Sequence, residues 1–227
     1  MEMISKPTKK LLPLFIITTL FVFYSHPAMV ATEEDDIRCL RGIKSSLYDP
    51  HNALKSWNFA NTSVGFLCSF VGVSCWNNQE NRIISLELRG MGLSGRIPES
   101  LKFCGSLQKL DLSRNRLSGN IPTELCKWLP FLVSLDLSKN ELNGEIPPGL
   151  AKCTFVNSLV MSDNRLSGHI PVQLSGLVRL ERFSVSNNDL TGRIPSFFNS
   201  PNYSSDDFKG NKGLCGLPLS SSCGGFI

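Results

Sequence analysis

A six-residue phrase that returns five times restricts the fold of this chain more than any other feature. It reads LSGRIP, LSGNIP, LNGEIP, LSGHIP and LTGRIP, with prolines at Pro98, Pro122, Pro147, Pro171 and Pro195. The intervals between these prolines are 24, 25, 24 and 24 residues. One such unit cannot bury its apolar face alone, so the period predicts a stack of similar coils that share a core.

The phrase closes a longer template, which is clearest in LQKLDLSRNRLSGNIPTEL. Leu110 and Leu112 alternate along a short strand and point to the core, so we expect Lys109, Asp111 and Ser113 to face solvent. Four of the five turns carry an asparagine, whose amide can donate to and accept from backbone groups, and the first copy has Met91 in that register. These asparagines are Asn115, Asn140, Asn164 and Asn188. Gly119, Gly144, Gly168 and Gly192 share one register, which indicates backbone that a side chain would obstruct.

The template is that of a leucine-rich repeat, and it predicts an α/β solenoid of about five repeats. We expect a signal peptide over residues 1–31 and an N-terminal cap over 32–81. The five repeats are expected over 82–198, and a C-terminal cap and tail over 199–227.

The signal peptide is predicted from Lys6, Lys9 and Lys10, an apolar run over 11–24, and small residues that end at Ala31. That run is shorter than the roughly 18 to 20 residues of a membrane-spanning helix, which disfavours the alternative of an N-terminal anchor. Removing residues 1–31 lowers the net charge from +4 to +2. A nearly neutral surface argues against nucleic acid as a partner.

No later apolar run is long enough to cross a membrane, so we expect a secreted chain in the apoplast. If the intact gene continues into a transmembrane helix, the location is the plasma membrane instead. Eight cysteines in a secreted chain indicate disulfides. Sequons at Asn61 and Asn202 predict glycosylation of both.

Both ends of the stack need caps, because an open solenoid exposes its core. At the front, we expect Asp36 to cap a helix that ends at Asp49-Pro50. One face of this helix carries Ile37, Leu40, Ile43 and Leu47.

The cysteines near the two ends are predicted to form disulfides, Cys68 with Cys75 and Cys215 with Cys223. The remaining cysteines are Cys39, Cys104, Cys126 and Cys153. Cys104 and Cys153 are interpreted as small buried apolar residues. A bond between Cys104 and Cys126 stays open, because spacing alone does not establish connectivity.

No enzyme chemistry is evident in the sequence. Residues 90–95 match G-x-G-x-x-G, but Pro98 follows too soon for the helix that would bind phosphate. There is no G-x-S-x-G, and His51 and His169 have no ligand-like neighbours at metal spacing. We therefore predict no catalytic residue, no metal and no cofactor.

The outward positions of the strands are mostly serine and include no aromatic residue, which disfavours a deep apolar pocket. A shallow polar face suits another protein, with charged residues setting its orientation. The predicted contact residues are Arg89, Lys109, Asp111, Asp136, Val160 and Arg182. The alternative is that these residues only keep the face soluble.

The repeat LxxLxLxxNxLSGxIP between CxxxxxxCW and GLCGxPL resembles the ectodomain of plant leucine-rich repeat receptor kinases, which implies a plant-type right-handed coil. DDIRCLRGIKSSLYDP, GVSCWNNQENRIISLEL, IPESLKFCGSLQKLDLS and LCKWLPFLVSLDLS are similar to the BIR group of receptor pseudokinases. Members of that group bind SERK co-receptor kinases and hold them away from ligand-sensing receptors in brassinosteroid and immune signalling.

The resemblance implies an extracellular recognition module, not an enzyme, whose partner is a SERK-type ectodomain and whose effect is negative regulation. The transmembrane helix and kinase-like domain of that group are missing from this sequence. The alternatives are a SERK-like co-receptor ectodomain and a secreted leucine-rich repeat inhibitor or decoy.

Overall fold

The computed structural model describes residues 33–60, 63, 65–77 and 80–224 of the chain. The expected signal peptide, the Asn61 acceptor and residues 225–227 lie outside that part. Its α-helices are α1 (Glu33–Ser46) and α2 (Leu125–Trp128). Its strands are β1 (Val73–Cys75), β2 (Ile83–Glu87), β3 (Ser94–Gly95), β4 (Lys109–Asp111), β5 (Arg116–Asn120), β6 (Ser134–Asp136), β7 (Glu141–Glu145), β8 (Ser158–Val160), β9 (Arg165–Gly168), β10 (Arg182–Ser184), β11 (Asp189–Arg193) and β12 (Gly213–Cys215).

Two sheets run along the stack. The first has the order β1-β2-β4-β6-β8-β10, and its repeat strands are parallel while β1 pairs antiparallel with β2. The second has the order β12-β11-β9-β7-β5-β3 and contains the recurring L-x-G segments. The first sheet confirms the predicted repeat strands, and the predicted solenoid with a helical front cap is confirmed as a whole.

Short helices close the other side of each coil. Besides α2, four 3-10 turns lie there, at Glu99–Phe103, Pro148–Lys152, Val172–Gly176 and Ser196–Phe198. Each begins after the proline of the recurring phrase, because that residue breaks the strand and fixes its own φ. The front cap adds 3-10 turns at Ala53–Ser56 and Phe66–Ser69, and the back cap adds one at Ser205–Asp207.

One apolar core fills the space between the two sheets and the helical side, and it extends into both caps. Repeated core residues such as Leu110, Leu135 and Leu159 stack on one another in register. Trp57 closes the front of the core and Phe208 the back. The predicted reason for the repetition is confirmed, since each coil buries its apolar face against its neighbours.

The recurring asparagines form a ladder inside the turns. Asn140 accepts from the amide of Leu117 at 3.0 Å and donates to the carbonyls of Leu112 and Leu137. Asn115, Asn164, Asn188 and also Asn211 of the back cap bond in the same way. Gly119, with φ of 80°, and its counterparts adopt the left-handed backbone that their shared register predicts.

The prediction that Asp36 caps the front helix is wrong. Asp36 lies within α1, is fully buried, and accepts the amide of Ile83 at 3.0 Å, which fastens the helix to β2. The helix starts earlier than predicted and ends at Ser46. Asp49 instead accepts the amides of Ala53 and Leu54, and so caps the 3-10 turn that follows.

The cysteine pairing departs from prediction at the four inner positions. The structure bonds Cys68 to Cys75 and Cys215 to Cys223, as predicted, but also Cys39 to Cys104 and Cys126 to Cys153. Cys104 and Cys153 are therefore not free apolar residues, and the Cys104–Cys126 bond does not form. Docking of α1 on the first repeat brings Cys39 within 5.6 Å of Cys104, Cα to Cα, and no local spacing encodes that approach.

Candidate protein-binding surfaces

The exposed face of the first sheet carries the predicted contact residues, and three of them are available to a partner. Arg89 and Arg182 are exposed. Lys109 is also exposed, but it donates to Glu87 at 2.7 Å, and this bond lowers the pKa of that carboxyl. A partner acid that binds Lys109 must share the ammonium group with Glu87 or displace it.

The other predicted contact residues are less accessible than their outward register suggested. Asp111 is 9% exposed, and its carboxylate accepts the amide of Ser113 at 2.9 Å. Asp136 stands beside it on the next strand and accepts both the amide and the hydroxyl of Ser138. The expectation that Asp111 and Ser113 face solvent is wrong, because the Asp111 carboxylate turns back to the backbone of the turn and Ser113 is 1% exposed.

Val160 is also buried, at 5% exposure, because it lies on a narrow sheet between neighbouring side chains. The six predicted residues do not form one continuous contact surface. Asp111 and Val160, which are buried, separate the exposed Arg89 and Lys109 from Arg182 on β10, the last strand of this sheet.

A second surface, absent from the sequence analysis, lies where the strands of the first sheet begin. We call it the strand-start edge and define it by the residue that precedes the first core residue of each repeat. Its members are Arg82, Ser106, Phe131, Phe155 and Arg179. Phe131 and Phe155 are 50% and 40% exposed, although apolar side chains of this size are normally covered.

Phe155 contacts both of its neighbours on the strand-start edge, Phe131 and Arg179. The ring centroids of Phe131 and Phe155 lie 6.2 Å apart, and the Arg179 guanidinium carbon lies 5.3 Å from the Phe155 centroid. These distances suit aromatic packing and a cation–π contact. Val178, next to Arg179, is almost fully exposed. Aromatic residues and arginine are the types that most often carry binding energy in protein interfaces.

The opposite edge, where the strands of the first sheet end, has a different character. The residues just before the asparagines Asn115, Asn140, Asn164 and Asn188 take a left-handed backbone with φ near 55°. These residues are Arg114, Lys139, Asp163 and Asn187. All are polar, so this edge has no apolar anchor at that register, and the strand-start edge is the better candidate for protein binding.

Sequence reasoning missed the strand-start edge because it counted only positions within the strands. The signal was present, since Phe131 and Phe155 occupy one register in which the first two repeats have Arg82 and Ser106. An aromatic residue in a register that other repeats fill with polar residues is not required by the fold.

The other predicted features can be placed as follows. Residues 90–95 lead into β3 and not into a helix. Within the part of the chain that the structure describes, no cluster of His, Cys, Asp and Glu could hold a metal ion, and no helix is long and apolar enough to span a membrane. Asn202 is exposed in the back cap, where its glycosylation stays a prediction.

The coil, its two caps and its exposed face define the class of protein, a leucine-rich repeat ectodomain. Family models agree: residues 33–76 match the leucine rich repeat N-terminal domain. Residues 106–128, 131–153, 155–177 and 179–200 match the leucine rich repeat.

Individual relatives narrow this class. The chain is 78% identical over 225 residues to the inactive LRR receptor-like serine/threonine-protein kinase BIR2 of Arabidopsis thaliana, which covers 99% of this chain and 36% of that protein. It is 64% identical to the probable inactive receptor kinase At1g27190 of the same plant, over 86% of this chain and 32% of that relative. The chain thus spans about a third of the length of these curated relatives.

Solved structures give the same assignment. The crystal structure of the BIR2 ectodomain from Arabidopsis thaliana matches with a TM-score of 0.82 and 82% identity, over 83% of this chain and 98% of that one. A chain in the crystal structure of the BIR3–SERK2 complex from Arabidopsis thaliana matches with a TM-score of 0.79 and 57% identity, over 84% and 100% of the two chains. This chain belongs to the BIR group of leucine-rich repeat receptor-like kinase ectodomains.

Family membership confirms the resemblance that the sequence motifs indicated. Because the chain corresponds to an ectodomain, and because the relatives are themselves named inactive kinases, it is not an enzyme. The same correspondence confirms the predicted extracellular location.

Proposed function

We propose that this chain is an extracellular recognition module that binds SERK-type co-receptor ectodomains and thereby negatively regulates receptor-kinase signalling in brassinosteroid responses and immunity. The observation that carries the proposal is the exposed strand-start edge, in which Phe155 contacts both Phe131 and Arg179. A similar chain occurs in the BIR3–SERK2 complex, which supports the choice of partner.

The chemistry of the edge fits a protein partner. Covering Phe131 and Phe155 removes apolar area from water, which favours association. Arg179 supplies a charged group beside the apolar rings, and a partner carboxylate or carbonyl can accept from it. Arg89, Lys109 and Arg182 on the exposed sheet are proposed to orient the partner through long-range charge and not to anchor it.

Negative regulation requires only that a bound SERK-type ectodomain is unavailable to a ligand-sensing receptor. No enzymatic step is needed, because the fraction of co-receptor held is set by concentration and affinity. Adding the purified chain should therefore reduce the amount of receptor–SERK complex that forms in the presence of ligand. Binding without competition would leave recognition intact and overturn the regulatory part of the proposal.

The direct test is titration calorimetry of the glycosylated chain into a SERK-type ectodomain without hormone. Phe155→Ala should weaken binding by about 30-fold, as expected for a central anchor worth about 2 kcal/mol. Arg179→Ala should weaken it by a smaller factor. Val172→Ala is the matched control, because Val172 is exposed on the helical side of the coil, away from the edge.

Three further outcomes would show which surface binds the partner, or that a SERK-type ectodomain is not the partner. If Arg89→Ala, Lys109→Ala and Arg182→Ala abolish binding while Phe155→Ala does not, the exposed sheet is the binding face and the edge is not. If every variant binds as well as the wild type, neither surface is involved. No binding by the wild-type chain to any SERK-type ectodomain would favour the secreted inhibitor or decoy alternative.

A further inference from the structure

Trp76 in the front cap is an exposed aromatic residue whose position is tightly fixed. Its side chain is 66% exposed. It follows directly after β1 and the Cys68–Cys75 disulfide, and its backbone amide donates to the carbonyl of Arg82 at 3.0 Å. Because the backbone here is already fixed, a partner that covers Trp76 does not have to order the main chain, which suits an anchor.

The antiparallel pairing of β1 and β2 places Trp76 at the strand-start edge. Cys75 pairs with Ile83, so the end of β1 lies beside the beginning of β2. Arg82, whose carbonyl binds the Trp76 amide, is the first member of that edge. Trp76 therefore extends the edge into the front cap, although it belongs to no repeat.

One partner can reach both aromatic groups. Four strand-to-strand steps separate β1 from β8, the strand that begins just after Phe155. At roughly 4.8 Å per step, this separation is about 19 Å. A standard interface covers about 800 Å² on each partner, a patch about 30 Å across, so Trp76 and Phe155 fit within one footprint.

We propose that Trp76 is a second anchor for the SERK-type ectodomain, which lies along the strand-start edge from the fourth repeat to the front cap. The inference rests on the proposed function and adds the orientation of the partner. Arg82 lies on the edge between the anchors, and Glu80 stands 4.0 Å from it, with each side chain about half exposed. Separated aromatic anchors with polar groups between them suit a folded protein surface, whereas a short amphipathic peptide needs a continuous apolar groove.

Tyr48 provides a matched control for Trp76. It is also in the front cap and is 69% exposed, nearly the same as Trp76. Its backbone forms a bridge with Ser94 of β3, so Tyr48 lies at the second sheet, away from the strand-start edge. A general contribution of exposed aromatic residues in the front cap would affect both variants equally.

The experiment compares the dissociation constants of a SERK-type ectodomain for Trp76→Ala, Tyr48→Ala, Phe155→Ala and the wild type. We expect Trp76→Ala to weaken binding by about fivefold or more, and Tyr48→Ala to change it by less than about twofold. The double variant Trp76→Ala/Phe155→Ala should lose the product of the two factors, because anchors this far apart act independently. Trp76→Tyr should recover most of the affinity.

Trp76→Tyr also carries the test if Trp76→Ala disturbs the fold, which thermal unfolding of each variant will show. Unchanged binding of Trp76→Ala alongside weakened binding of Phe155→Ala overturns this inference and leaves the proposed function standing. Equal losses for Trp76→Ala and Tyr48→Ala also overturn it. Unchanged binding of both Trp76→Ala and Phe155→Ala overturns the strand-start edge as a whole.

Discussion

The interior of the coil and the strand-start edge follow opposite rules, although they are built from the same repeats. In the interior, an asparagine with the same bonds recurs in every turn from the second repeat onward, as at Asn115 and Asn140. At the edge, the register changes from Ser106 to Phe131, Phe155 and Arg179. Positions that repeat are required for the stability of the stack, whereas exposed positions that vary are not constrained by the fold and can serve partner binding.

The largest effect that we expect is on stability, and it distinguishes the interior from the edge within the third repeat. Asn140→Ala should destabilise the protein by about 3 kcal/mol or more, because the amide of Leu117 and the carbonyls of Leu112 and Leu137 lose buried partners. Urea unfolding measures the loss, and amide hydrogen exchange at Leu117 localises it.

The control for that experiment lies in the same repeat, at the edge. Phe131→Ala removes a larger side chain than Asn140→Ala, but one that is half exposed, and should cost less than about 1 kcal/mol. Equal destabilisation by the two variants would contradict the division between interior and edge.

The Cys126–Cys153 disulfide is expected to make the next largest contribution to the free energy of unfolding. It lies in the interior of the coil, but no other pair of repeats has an equivalent bond among the described residues. It joins two neighbouring coils on their helical side across 27 residues of sequence. Replacing both cysteines by serine should cost about 3 kcal/mol, since the unfolded chain regains the entropy of that loop. Urea unfolding is the measurement.

Binding to a SERK-type ectodomain should change little in the same disulfide variant, because the Cys153 carbonyl that accepts the amide of Val156, beside Phe155, is retained. A double serine variant as stable as the wild type would mean that core packing alone holds these coils together. Lost binding in a variant that remains folded would show instead that the helical side supports the edge.

The sequence predicted what repetition encodes. Register alone identified the strands, the asparagine ladder and the left-handed glycines, because these features depend on neighbours at a fixed spacing. The Cys68–Cys75 and Cys215–Cys223 bonds also followed, since each closes a short local loop. Whatever depends on docking between distant segments was missed.

The missed features share this physical origin. Cys39 finds Cys104 only because α1 packs on the first repeat, and Asp111 is 9% exposed on β4, which lies between β2 and β6. The strand-start edge was overlooked for another reason. Its aromatic residues precede the strands, and only positions within the strands were counted, although the register of Phe131 and Phe155 can be read from the sequence.

Asp36 is an exception to the rule that buried positions repeat and varying positions are exposed. It belongs to no repeat, and yet it is fully buried. Burial raises the pKa of Asp36 from 3.8 to about 7, and the bond from the Ile83 amide and the charge of Arg82 oppose this only in part. The native state therefore holds a proton that the unfolded chain releases between these two pH values. Its stabilising contribution is present at low pH and is lost as the pH rises through about 7.

The wild-type chain should therefore lose about 2 kcal/mol of stability between pH 5 and pH 8 relative to Asp36→Asn, whose amide does not titrate. Urea unfolding of both proteins at the two pH values measures the difference. Parallel profiles would mean that water or a counter-charge reaches the carboxylate. A difference of the expected sign would show that a varying residue can be structural when it is buried, so variation indicates partner binding only where the side chain is also exposed, as at Phe155 and Trp76.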